Sequence, residues 1–138
     1  MSQDKMSDRE VFENTFHYFI SALRVLSNDE VTQCMEMDNY NTPSEIQSDT
    51  ANRGLGTLRL SAHHLGWQQA EAIVDLVAAV RRLPAEALCV PHLSMTRHAG
   101  CITAMAHPAW STLREQAVRL LEMLAPEIDR NIAYFQQS

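Results

Sequence analysis

Three times in the first 45 residues a hydroxyl side chain stands three places ahead of a glutamate: Ser7 and Glu10, Ser27 and Glu30, Thr42 and Glu45. This is capping-box spacing, in which hydroxyl and carboxylate each bond a backbone N–H left open at a helix start. Pro43 strengthens the third box, because a proline in the first helical turn sacrifices no hydrogen bond. Apolar residues then follow at intervals of three and four. After the first box they are Val11, Phe12, Phe16, Phe19, Ile20, Leu23 and Leu26, a long amphipathic stripe that has to be buried. After the second, Val31, Cys34 and Met35 share a face of a helix of about three turns. After the third, Ile46, Leu55, Leu58 and Leu65 suit one continuous or kinked helix running to Gly66, with Gly54 and Gly56 allowing a neighbouring helix to come close.

The remaining chain repeats the pattern. Ile73, Leu76, Val77, Val80 and Leu83 mark a buried face that Pro84 ends, and Pro84 opens a further short turn. A helix from Pro108 buries Trp110, Leu113, Ala117, Leu120, Leu121 and Leu124. Pro126 interrupts it, and Ile128, Ile132 and Phe135 line a last helix. Residues 90–107 have weak periodicity and read as loop-rich, with one short helix, and residues 1–6 read as a flexible start. Only 4 Gly and 5 Pro in 138 residues argue against the many tight turns of a sandwich or barrel. The expected fold is all-α, a compact single-domain bundle of five or six helices.

Charge divides the chain. Residues 1–50 carry three bases (Lys5, Arg9, Arg24) against ten acids, a net of −7, and residues 51–138 carry eight arginines against seven acids, a net of +1. Phosphate contacts require Lys and Arg, so the acidic part disfavours nucleic acid and suits a basic protein partner. Arg81 and Arg82 near a helix end are explained by the helix dipole. Together with Arg97 they leave room for a second alternative, a helical subunit of a nucleic-acid-bound complex.

The residues around 34–43, "CMEMDNYNTP", form a corner between two helices. Asn39 and Asn41 tolerate the backbone angles that end a helix, and Tyr40 packs over the turn. Cys89, His92, His98 and Cys101 are the sharpest metal-like spacing, two Cys/His pairs each with two intervening residues, and zinc is the cofactor they would take. Their five-residue separation is short for a zinc module. Otherwise no cofactor is expected. His63 and His64 are adjacent and diverge on a helix. Glu71 and Asp75 read as a solvated acidic pair. The chain contains no Glu-x-x-His or His-Glu-x-x-His pair, no phosphate loop and no Gly-x-Ser-x-Gly elbow. The first ten residues lack an apolar leader core, the most apolar window (residues 70–80) is too short to span a bilayer, and three cysteines suit a reducing compartment, so a cytoplasmic location is expected.

The functional expectation is a non-catalytic protein-binding module, such as an immunity or inhibitor protein or a small subunit of an assembly. Asp29, Glu30, Glu36, Asp38 and Tyr40 are the candidate contacts to a basic partner. A homo-oligomer is compatible with this reading, and the zinc module is its first alternative.

Overall fold

The computed structural model describes residues 6–37 and 40–137. These form eight helices and no strand: α1 (Asp8–Ser27), α2 (Glu30–Glu36), α3 (Thr42–Arg59), α4 (Trp67–Arg81), α5 (Ala85–Leu88), α6 (His98–Met105), α7 (Pro108–Met123) and α8 (Ala125–Gln136). The all-α expectation holds. The number of helices exceeds it because two short pieces, α5 in the turn after Pro84 and α6 in the stretch read as loop-rich, stand as elements of their own.

Helix α1 is the axis of the fold. It packs against α3, α7 and α8, while α4 fills in against α3 and α7. Its aromatic stripe is the core: Phe12, Phe16, Phe19, Ile20, Leu23 and Leu26 are all buried, and only Val11 of the expected set is half-buried. Ile73, Leu76, Val77 and Val80 of α4 meet it from one side, and Trp110, Leu113, Ala117 and Leu120 of α7 from another. The buried Trp110 indole N–H donates to the Ala87 carbonyl at 2.8 Å, which fastens the four-residue α5 to α7.

Of the three expected helix starts, the first has its cap where expected, with the Ser7 hydroxyl accepting the Glu10 N–H at 3.1 Å. The other two shift. Asp29, not Ser27, caps α2, and Asn41, not Thr42, caps α3, each carboxylate or amide oxygen accepting the N–H three residues on. Ser27 is instead the last residue of α1, where its hydroxyl donates to the Arg24 carbonyl. Asp and Asn cap as well as Ser and Thr, so the competing caps next door prevail.

Helix α3 is continuous through Gly54, but it stops at Arg59, short of Gly66, which caps α4 instead. A Cβ on Gly54 would stand 2.7 Å from Val77 Cγ2 and 3.3 Å from Phe19 Cε1. The glycine therefore exists for the close approach of α3 to α4 and α1. Alanine would gain about 1 kcal/mol of helix propensity and lose up to about 3 kcal/mol to overpacking against a stiff valine. Gly54→Ala is expected to lower stability by about 1 kcal/mol net, measured by urea denaturation.

At α8 the expected buried line is wrong by one position. Ile132 and Phe135 are exposed and Asn131 is buried, its amide donating to the Glu13 carbonyl at 3.0 Å and to Glu13 Oε1 at 2.8 Å. A satisfied polar clamp between α8 and α1 takes the place that periodicity assigns to isoleucine.

Candidate functional site

Helix α2 has seven residues, fewer than the three turns expected and too few to stand without tertiary help. Three devices hold it. The Asp29 carboxylate accepts the Thr32 N–H at 2.8 Å, and that bond holds its carboxyl below the usual carboxylate range. Since the folded-state value is depressed, this contribution is present at neutral pH and is lost as pH falls through that value.

The second device is Gln33, which is fully buried. Its amide donates to the Val25 and Leu26 carbonyls at 3.1 and 3.0 Å, closing the C-terminal end of α1. Its Oε1 accepts from Arg114 Nη2 at 2.8 Å and Nε at 3.3 Å, and Arg114 Nη2 also donates to the Met105 carbonyl at 2.7 Å. Glu30 lies 3.9 Å from the same guanidinium. Burial pushes the Arg114 guanidinium down from its ordinary value, and Glu30 and Asp29 pull it back up. Gln33 and Arg114 together thus join α1, α2, α6 and α7.

The third device is covalent. Cys34 and Cys101 form a disulfide between α2 and α6, with Cα atoms 6.0 Å apart and a sequence separation of 67. Gly100 lets α6 settle there: a Cβ at that position would come within 2.0 Å of the Ser94 carbonyl oxygen.

With Gln33 and Cys34 turned inward, the rest of α2 faces out. Val31 and Met35, expected on the buried face, are 50% and 68% exposed, and Tyr40 in the corner is 63% exposed rather than packed. Val31 and Met35 are four residues apart, so they share one face. At the junction of α1, α2 and α3 opens a cleft of about 190 Å³. Val25, Met37 and Ile46 form its apolar walls, and Glu36, Asp49 and Arg53 line it.

The expected contact residues thus separate. Asp29 and Glu30 have structural work, as cap and as ion-pair partner of Arg114. Glu36 is exposed and, among the described residues, accepts from the Asn28 amide alone, at 3.1 Å. Tyr40 is free to meet a partner, and Asp38 lies outside the described residues. Residue reasoning missed Asp49, Val31 and Met35. The signal was present in Gln33: a polar residue inside a two-turn helix flags either a solvent face or a buried polar joint, and the latter reverses which side is apolar.

The zinc reading is corrected. Cys101 is committed to Cys34, and among the described residues no group of three or more His, Cys, Asp or Glu converges to hold a metal. Cys89 is an exposed free thiol. His92 has φ 68°, and the Leu93 N–H bonds the Val90 carbonyl at 3.2 Å. It is the third residue of a turn that requires positive φ, so it serves the backbone. His98 is exposed at the first position of α6. His107 caps α7, its Nδ1 accepting the Ala109 N–H at 3.0 Å. Glu71 and Asp75 are exposed, as are Arg81 and Arg82 at the end of α4.

No family model, curated protein or solved structure matches this chain. No helix is long and apolar enough to cross a membrane, among the described residues.

Proposed function

We propose that the chain is a protein-binding module that takes a basic partner on α2 and the corner after it. The observation that carries this is the cleft beside Met37, whose apolar walls meet the carboxylates of Glu36 and Asp49, the latter loosely paired with Arg53 at 3.8 Å, together with three exposed apolar side chains on α2 and the corner after it. A lysine or arginine of the partner lays its aliphatic stem on Val25 and Ile46 and its charge between Glu36 and Asp49. Val31, Met35 and Tyr40 supply the apolar and aromatic contact that dominates interface energies. The net charge of −7 over residues 1–50 steers the encounter. Neutralising a basic active groove, as an inhibitor or immunity protein does, is the role this surface suits best, and a small subunit docked on a basic neighbour is the other form of the same chemistry.

Capture of partners by the tagged chain from its native cell tests the proposal. Glu36→Lys with Asp49→Lys is expected to reduce recovery of a basic partner at least about tenfold, since two charge repulsions each cost on the order of 1 kcal/mol or more. The Asp49–Arg53 pair lost in this variant is a loose surface contact of 3.8 Å, so the fold is expected to persist. Unchanged recovery, or a partner that is itself acidic, contradicts the reading. Charge reversal at Asp29 is unsuitable here, because it removes the α2 cap.

The location also has a direct test. The cytoplasmic expectation and the Cys34–Cys101 bond oppose each other, since disulfides persist chiefly in oxidising compartments. Acid quenching of the native cell, then alkylation of the unfolded protein and mass analysis, gives three modified thiols for a reducing compartment, and Cys89 alone for an oxidising one, since Cys34 and Cys101 are buried in the fold.

A further inference from the structure

A second cleft, of about 380 Å³, lies near the other end of α1, lined by Arg9, Phe12, Glu13, His63, His64, Glu127 and Arg130. Its floor is aromatic. The His64 imidazole stacks on the buried Phe12 ring, with centroids 4.2 Å apart and planes 11° from parallel. Its acids are already engaged. Glu13 Oε1 accepts from Asn131 at 2.8 Å, and Oε2 is 3.5 Å from Arg9 Nε. Glu127 Oε1 accepts from Gln69 at 2.6 Å, and Oε2 from Arg130 at 2.9 Å. Gln69 in turn accepts the Gly66 N–H at 2.8 Å. Every carboxylate oxygen on the cleft has a donor.

The cations are the reverse case. Each guanidinium carries five N–H donors. Arg9 uses one edge on Glu13 and lies 5.2 Å over the Tyr134 ring, and Arg130 uses one nitrogen on Glu127. Both side chains are 59% exposed, at the rim. His63 and His64 make no side-chain hydrogen bond among the described residues. The hydrogen-bonding capacity left over is therefore almost entirely donor, in a space large enough for a small molecule.

We propose that this cleft binds a small organic dianion. The guanidinium forks of Arg9 and Arg130 clamp its charged groups, His63 donates from the third side, and its body lies on the His64–Phe12 stack. Phosphate monoesters and short dicarboxylates share this chemistry. The site is separate from the α2 face, at the opposite end of a helix about 30 Å long, so each can fail without the other.

The test is a ¹H–¹⁵N NMR titration of the full chain with inorganic phosphate and with malonate, against sodium chloride at matched ionic strength. The expected result is saturable shifts centred on Phe12, His63, His64 and Arg130, with affinity on the order of millimolar. Arg9→Gln with Arg130→Gln is expected to weaken binding at least roughly tenfold, because bidentate charged contacts are lost, while unfolding midpoints show the variant still folded. Saturation by phosphate alone supports a phosphoryl ligand, and by malonate alone a dicarboxylate. Shifts no larger than those from chloride, saturation centred elsewhere, or binding unchanged in the double variant overturns the proposal.

Discussion

Replacing Cys34 and Cys101 together with serine is expected to lower the unfolding midpoint of the oxidised protein by about 15 °C. The bond closes a loop 67 residues apart. In the chain-entropy description, releasing such a loop costs about 4 kcal/mol. For a chain of this size each kcal/mol moves the midpoint by about 4 °C. The same shift should appear when the unaltered protein is melted with reductant. The loss is not spread evenly. Helix α2 packs chiefly on α6, and the bond is its only covalent tie to it. Hydrogen exchange should therefore accelerate first in residues 30–37, before the α1–α3–α4–α7 core opens. An unaltered midpoint under reductant would show that the two sulfurs do not cross-link the fold. Because α2 carries Val31 and Met35, the double-serine variant is also expected to bind its partner less tightly, at temperatures where the core remains folded.

Gln33→Leu is expected to cost about 3 kcal/mol or more, the sum of the buried hydrogen bonds it removes from the Leu26 carbonyl and from the Arg114 guanidinium. Leucine is close in size, so little of this comes from a cavity. It leaves the Leu26 carbonyl without the Gln33 donor and the Val25 carbonyl with the Asn28 N–H alone, and it turns the Arg114 guanidinium, whose side chain is 13% exposed, toward an apolar group. Arg114→Met should cost less, about 2–3 kcal/mol, because it strands acceptors and not a charge. The pair Gln33→Leu with Arg114→Met is expected to recover part of the loss, since no unpaired charge remains. Urea denaturation of the two single variants and the double variant measures this coupling. Additive losses would mean that the two side chains act independently, against the shared network described here.

These two sites show where the sequence is readable and where it is not. The α1 stripe, the α4 and α7 faces and the turn at Pro84 follow from local periodicity and punctuation, and their buried residues agree with the structure almost position by position. What escapes is every feature made by residues far apart in the chain. Cys34 and Cys101 are each ambiguous alone, and spacing drew Cys101 toward His98 and Cys89, whereas the fold brings it to Cys34. Gln33 and Asn131 look like surface positions until their partners, Arg114 and Glu13, arrive from 81 and 118 residues away. Burying them turns Val31, Met35 and Ile132 outward, against the hydrophobic rule. The candidate partner face was legible only as an acidic region. Asp29 and Glu30 are spent on structure, and Asp49, which no pattern marks, faces the cleft with Glu36.

The most direct test of the account is site-specific photocrosslinking in the native cell, with a photoreactive aromatic amino acid at Met35 and, as a control, at the exposed Val118 of α7. The expected result is an adduct with a basic protein from position 35, absent from position 118, and sharply reduced when Glu36 and Asp49 are changed to lysine. No adduct from position 35, equal adducts from both positions, or an adduct indifferent to the charge reversal would contradict the claim that α2 and its corner are the binding face.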